Sequence, residues 1–421
     1  MTETRLVAVD RVRQGEVADM RTSSQVDSMA QAPIVEIETV SFHADPYPTL
    51  ATMRSETPIC FVPQFGATLF TKRNAIFEQE KRTETFSSYQ PGGLMSVLMG
   101  ENMMRKDGDA HAAERRATFP ALSPRTVRTH WLYEFRKHTE EVLETLAFRG
   151  AFDLVADYAM PVSGHALRVI TGLRNVDWRE IDRVSQGMID GIANYGGDPD
   201  IEARCLSCTA MIDARIQERL QEVGGRPDLS LLSVQMEAGL PMESVRANIK
   251  LAISGGQNEP RNAIAGTAWA LLTHPEQLAL IKSGKASWRD AFEEYARWIS
   301  PIGMSPRRVA RPDTVYGIDF EPDSRVFFMF GSGNRDEEVF EVPEKFDITR
   351  DTSSSLAFGA GPHFCAGAAA SRSLVADVAL PMLFRRFPGL RIAGEVNFSG
   401  WAFRGPAEVH VTWSPGDVET G

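Results

Sequence analysis

The chain has 421 residues, 43% of them hydrophobic, and a formal net charge of −11. That composition supplies a sizeable core and leaves no basic footprint for nucleic acid or anionic lipid. Four cysteines (Cys60, Cys205, Cys208 and Cys365) do not make a disulfide framework, and no uncharged apolar run approaches the length of a membrane span.

Residues 1–35 read as a disordered leader, because Met1–Ala30 is polar and charged and lacks the apolar core of a signal peptide or anchor. A cytoplasmic location is expected. Residues 36–421 read as one domain, with no repeat, no low-complexity linker and no tether to a second module. Ile59–Thr71 predicts a β-rich run turning at Gln64-Phe65-Gly66. From 109 to 299 apolar residues recur three and four apart, the period of helices packed on a core. Cys205-Leu-Ser-Cys208 has metal-ligand spacing, but no second pair or nearby histidine completes a tetrahedral site, so packing within a helix over 201–222 is expected. Short strands and Pro/Gly turns follow at Val315–Phe320, Arg325–Phe330 and Ile392–Trp413. The fold class is therefore mainly α with a small β-rich portion.

Several side chains stand out within this frame, in chain order. His111 and Arg115 are four apart in Asp109-Ala-His-Ala-Ala-Glu-Arg-Arg and share one helical face. In Ala252-Ile-Ser-Gly-Gly-Gln-Asn-Glu-Pro-Arg-Asn262, Pro260 lacks the N–H that would bond the Gly256 carbonyl, so a local opening and a kink are expected there. Glu259, just before it, could carry protons if burial raised its pKa toward neutrality. Glu294 and Arg297, flanked by apolar residues, predict a buried pair. Arg308 begins the next strand.

The most informative stretch comes last: Phe358-Gly359-Ala360-Gly361-Pro362-His363-Phe364-Cys365-Ala366-Gly367. Gly359 and Gly361 let the backbone wrap tightly around one sulfur. Cys365 stands where an Ala-rich helix is expected to begin (Ala366 to about Arg372), and the start of a helix favours thiolate over thiol. Gly367 leaves room for a flat macrocycle against the backbone.

This loop resembles the haem-ligand loop of the cytochrome P450 superfamily, and the resemblance extends over roughly residues 40 to 415. It implies a triangular, mainly helical haem-thiolate monooxygenase fold holding haem b, with Cys365 as the axial thiolate on the iron. Phe358, Gly359, Gly361, His363 and Gly367 then contact the cofactor, and His111, Arg115, Arg308 and His363 match positions that clamp the propionates. The Glu294/Arg297 pair should join an arginine from the meander spanning Asn334–Asp336 and Phe346–Arg350. The resemblance also implies O2 as oxidant and electrons from NAD(P)H through a separate flavin/iron–sulfur reductase or ferredoxin. Arg115, Arg116, Arg125 and Arg128 could dock such an acidic partner.

Members of this family usually carry an acid followed by threonine on the helix facing the iron. Aligned on Gly255 and Gly256, this chain has Asn258 at the acid position and Glu259 at the threonine, which makes these two the expected catalytic residues. The Asn-Glu-Pro departure, with the segment Phe398–Trp413, resembles an actinobacterial subgroup of guaiacol and alkylguaiacol O-demethylases. By that pattern Leu98, Met104, Leu251, Gly255, Ile302 and Phe403 line an apolar pocket for a small apolar or aromatic substrate. The implied reaction is O-demethylation of a methoxyphenol to a catechol plus formaldehyde. Hydroxylation of a terpenoid or another small hydrophobic molecule, peroxide-driven oxidation, and haem-based sensing without turnover are the alternatives.

Overall fold

The computed structural model describes residues 31–194, 197–223 and 227–414. Most of the expected leader, residues 1–30, lies outside the described residues. Its last part does not behave as a leader: the Phe61 N–H donates to the Pro33 carbonyl (2.8 Å) and the Val35 N–H to the Phe61 carbonyl (2.9 Å).

The expected hairpin forms from β1 (Ile59–Val62) and β2 (Ala67–Phe70), in register from Ile59 opposite Phe70 to Val62 opposite Ala67. Gly66 closes its turn at φ +55°, which glycine adopts without a side-chain clash. With β3 (Phe86–Ser87), β4 (Ser305–Val309) and β5 (Arg325–Phe328) the hairpin builds a five-stranded sheet of order β1-β2-β5-β4-β3. Only the β2–β5 contact is parallel. One face is cemented by Phe70, Phe86, Phe320 and Phe328, whose ring centroids lie 5.3–5.7 Å apart in edge-on and stacked pairs. Val315–Phe320, read as one strand, instead spans the turn of a small hairpin: Asp313–Val315 pairs with Ile318–Phe320 around Tyr316 and Gly317, both at positive φ.

Helices dominate the remainder, as the apolar period predicts. Those that frame the site are α1 (Leu94–Met99), α2 (Gly108–Leu122), α3 (Met160–Thr171), α4 (Trp178–Ile192), α5 (Pro199–Val223), α6 (Met242–Thr273), α7 (Trp288–Ile299) and α8 (Ala368–Arg372). The helical region is broken once by a strand, Ala151–Asp153, whose partner is His410–Thr412. That pairing spans more than half the chain and has no local signature. No helix among the described residues is long and apolar enough to cross a membrane.

The α6 helix is the central strut, buried along most of its length between α3 and α4. It approaches its neighbours closely where side chains are missing. A Cβ at Gly256 would stand 2.9 Å from Leu167 Cδ1, and one at Gly266 would collide with the Tyr295 hydroxyl. The same device explains the Cys205/Cys208 pair. Cys205 packs where Gly191 lacks a side chain and Cys208 where Gly187 does, so the cysteines fill the α4–α5 seam. Burial pushes the Cys205 thiol up to about 11, which keeps it a neutral packing group at pH 7.

The Glu294/Arg297 pair holds the opposite side of the core. Both side chains are fully buried, with Arg297 Nη2 2.7 Å from Glu294 Oε1. Arg350 joins from the meander, its Nε donating to Glu294 Oε1 at 3.2 Å, as does the Asp347 N–H at 3.0 Å. Arg297 also donates to the carbonyls of Asn334 (2.8 Å), Pro343 (2.9 Å) and Lys345 (3.3 Å). Each charge is therefore paired and saturated with hydrogen bonds, the condition under which a buried ion pair is tolerated.

Candidate active site

The cysteine loop adopts the tight path expected of its glycines. Gly359 and Gly361 sit at φ +71° and +62°, and a Cβ at Gly361 would press to 3.0 Å from the Glu80 carbonyl oxygen. The Cys365 N–H donates to the Phe358 carbonyl (2.9 Å), and Phe358 is covered by Arg372, whose guanidinium lies 4.3 Å from its ring centroid. One expectation needs correcting. The helix starts at Ala368 rather than Ala366, so Cys365 stands in the turn before it. One amide and two arginines, not a helix start, polarise the sulfur. Surrounding protein pushes the Cys365 thiol up, opposed by a hydrogen bond from the Gly367 N–H and by the charges of Arg115 and Arg372, while Glu259 adds to the rise. Cys365 is nevertheless accessible. A Cβ at Gly367 would meet only the Cys365 sulfur, at 3.9 Å, and one at Gly255 would meet nothing within 4 Å. The ground above the sulfur is open, as a flat macrocycle requires.

Cationic groups gather beside this opening. The His111 and His363 rings are 4.2 Å apart, and Arg115 donates to the Phe364 carbonyl at 2.9 Å. Burial, followed by the charges of His363 and Arg115, pushes His111 down to about 4, so it is neutral at pH 7. Arg308 does not touch these residues. It pairs with Asp323 (2.6 Å) and donates to the Tyr89 carbonyl (3.1 Å), while Arg307 turns inward to Glu80 at 2.6 Å.

The residue that links them, Asp107, has no flag in the sequence. It occupies the N-cap of α2 but caps nothing there. Its carboxylate accepts instead from Ser87 Oγ (2.6 Å), the Ser88 N–H (2.9 Å), the Tyr89 N–H (3.3 Å) and His363 Nε2 (2.8 Å). Burial would raise this carboxyl, but the hydrogen bonds from His363 and Ser87 hold it below its usual range. Arg308, Tyr89, Asp107 and His363 thus form one bonded chain ending at the cysteine loop.

On the other side stands α6. It runs unbroken through Pro260, and the Gly256 carbonyl that the proline leaves open is met from α3: Ser163 Oγ lies 3.4 Å from it and 2.9 Å from the neighbouring Gln257 oxygen. The opening is bridged by a neighbouring helix. Both Glu259 carboxylate oxygens are buried without a partner, as is Asn258 Oδ1. Burial pushes Glu259 up to about 7. Its charge adds to the rise of the Cys365 thiol, so the two groups lie within electrostatic reach of each other.

Glu259 and Asn258 line a cavity of about 200 Å³ that also takes in Phe403, Pro301, Ile189 and Gln186. Of the expected pocket residues, Ile302 and Phe403 are brought together as a β-bridge. Gly255 and Leu251 lie on α6, one turn apart. Leu98 reaches the α4–α5 seam instead, 3.2 Å from where a Gly191 side chain would stand. Met104 packs half-buried against the main core.

Glu259 sets a pH dependence. Its folded-state pKa lies above the usual 4.5, so the folded protein holds the extra proton and loses stability as pH rises from 4.5 through about 7. Between pH 4 and pH 8 the apoprotein should lose about 3 kcal/mol relative to Glu259→Gln, read from urea unfolding of both proteins. Parallel pH profiles would show that Glu259 is solvated.

A family model described as cytochrome P450 matches residues 289–388, the stretch from α7 through the cysteine loop. The chain is 30% identical to cytochrome P450 107B1 of Saccharopolyspora erythraea, over 75% of this chain and 76% of that protein. To the epothilone C/D epoxidase of Sorangium cellulosum it is 28% identical, over 88% of this chain and 93% of that protein. Among solved structures, P450BioI in complex with a hexadec-9Z-enoic acid-ligated acyl carrier protein superposes with a TM-score of 0.81. That match covers 89% of this chain and 100% of that one at 23% identity, a likeness of fold.

Proposed function

The chain belongs to the cytochrome P450 family, and from that premise we propose that it oxidises a compact methoxyarene, removing the methyl group of a guaiacol-type methoxyphenol. The family uses haem held by a cysteine thiolate, O2 and electrons from a redox partner. The residues present fit that group: an accessible cysteine in an open turn, a cluster of histidines and arginines suited to two propionates, and room over Gly255 and Gly367. When bound there, haem supplies the activation of O2.

The chain's own residues do the rest. Cys365 provides the thiolate, favoured by the Gly367 amide and by Arg115 and Arg372. His111, His363, Arg115 and Arg308 hold the propionate edge, with Asp107 orienting His363. Glu259, poised near neutrality, holds and passes protons in the space facing Cys365, with Asn258 beside it. Phe403 and Ile302 form the apolar wall against the substrate ring, and Leu251 and Gly255 line the helix side. Overall, one oxygen atom of O2 enters a C–H bond of the methyl ether, and the other leaves as water with two electrons and two protons. The resulting hemiacetal collapses to a catechol and formaldehyde. Electrons would come from a separate reductase or ferredoxin docking on the arginines around α2.

The observation behind this reading is the cavity at Glu259, whose volume of about 200 Å³ is on the order of one substituted ring. The test is a panel of methoxyphenols given to the reconstituted enzyme with NADH and a reductase. Formaldehyde and catechol should appear in equal amounts. No formaldehyde from any member would end the demethylase reading. Hydroxylation of a non-aromatic hydrophobic molecule would then take its place, a reading favoured by relatives named as an epothilone C/D epoxidase and a 6-deoxyerythronolide B hydroxylase.

A further inference from the structure

Arg372 owes its place beside the cysteine loop to Glu293, the residue before Glu294 on α7. Arg372 Nε lies 2.5 Å from Glu293 Oε1 and Arg372 Nη2 lies 3.3 Å from Glu293 Oε2. A two-point grip of this kind fixes the plane of a guanidinium as well as its position. The turn of α7 that carries Glu293 is itself anchored, because Glu294 is bonded to Arg297, Arg350 and the Asp347 N–H.

Held in this way, Arg372 stands over Phe358, with 4.3 Å from guanidinium carbon to ring centroid. The rings of Phe292 and Phe364 flank Phe358 at 6.2 and 6.3 Å, and its carbonyl accepts the Cys365 N–H at 2.9 Å. The cation is thus built onto the residue that holds the ligand backbone. Its charge reaches the sulfur, acting against the rise that burial imposes on the Cys365 thiol.

The pair does not cancel itself. Arg289 Nε also lies 3.6 Å from Glu293 Oε1, so one carboxylate is shared between two guanidiniums. Arg289 is 56% exposed and screened by water, whereas Arg372 is 23% exposed and acts largely through protein. One-electron reduction of a ferric thiolate centre adds negative charge, with no bond formed or broken. A fixed cation within reach favours the reduced form, and a carboxylate beside that cation opposes it.

We propose that the Glu293–Arg372 pair sets the reduction equilibrium of the thiolate-bound iron, with Arg372 favouring the ferrous state and Glu293 acting as the positioning residue and counter-charge that limits it. This setting does not depend on which molecule is oxidised, so it stands or falls apart from the methoxyphenol reading.

The test is a dithionite titration, with redox mediators, of the haem-loaded enzyme without substrate, each dithionite-derived electron taking one ferric iron to ferrous. The two forms are followed by their Soret bands. Arg372→Gln should lower the equilibrium constant for reduction at least about tenfold, which is about 59 mV. Arg372→Lys, which keeps the charge, should stay within about threefold of the parent. Glu293→Gln keeps an acceptor for Arg372 but loses the counter-charge, so its constant should rise at least about threefold. Opposite signs are the mark of charge, since a loosened loop would move both variants the same way. An Arg372→Gln constant within about threefold of the parent overturns the inference, and so does an Arg372→Lys constant that falls as far as that of Arg372→Gln. A Glu293→Gln constant that is unchanged or lowered overturns it as well. If Arg372→Gln takes up no haem, Glu293→Gln decides alone on that same criterion.

Discussion

Arg297→Ala is expected to cost at least about 3–5 kcal/mol, the usual penalty for stripping one partner from a buried ion pair. Arg297 and Glu294 are both wholly inaccessible, and Arg297 binds three meander carbonyls besides the carboxylate. Its loss leaves those carbonyls unsatisfied, and only Arg350 at 3.2 Å and the Asp347 N–H at 3.0 Å stay on Glu294. Chemical unfolding and the haem content of purified protein would both report the change. The double replacement Arg297→Met/Glu294→Leu should be less damaging than Arg297→Ala, because no wholly buried charge remains and Arg350 keeps its bonds to the Glu341 and Val342 carbonyls. A single variant less than about 1 kcal/mol below the parent would show that the pair is dispensable.

Cys365→Ser is expected to act oppositely, sparing the fold and removing the chemistry. The loop is held by the Cys365 N–H to the Phe358 carbonyl and by positive-φ glycines, neither of which involves the sulfur. Apoprotein stability should therefore change by less than about 1 kcal/mol. Turnover with any substrate should fall at least about a thousandfold, because the electron-donating thiolate is gone. In parallel, the reduced, CO-treated protein should lose the red-shifted Soret band of thiolate-ligated haem. A variant that keeps that band would show that Cys365 is not the axial ligand.

What could be read from the chain, and what could not, divides by sequence distance. The glycine turn at 359–361, the Glu294/Arg297 pair and the β1–β2 hairpin all announce themselves within about a dozen residues, because spacing and turn chemistry are local. Pro260 marks the Gly256 carbonyl as open, yet the Ser163 hydroxyl that meets it belongs to another helix. Asp107 belongs to no motif that the sequence shows. Only packing shows that its carboxylate is committed to Ser87 and His363. Of the two arginines at 307 and 308, alternation along a strand says that they face opposite sides, but not which side meets Glu80. The Gln186–Asn258 contact likewise joins residues with no local pattern.

The reach of Asp107 has a bearing on how the protein is made. Its bond to His363 closes a loop of 256 positions, and the His111–His363 ring contact spans a similar interval. Loop closure of that length is slow compared with forming local helices. During synthesis, α1 to α7 can collapse while the ribosome is still decoding the second half of the meander. The ligand sulfur and its imidazole neighbours meet only after residue 365 has emerged. Haem capture is therefore a late event in biogenesis.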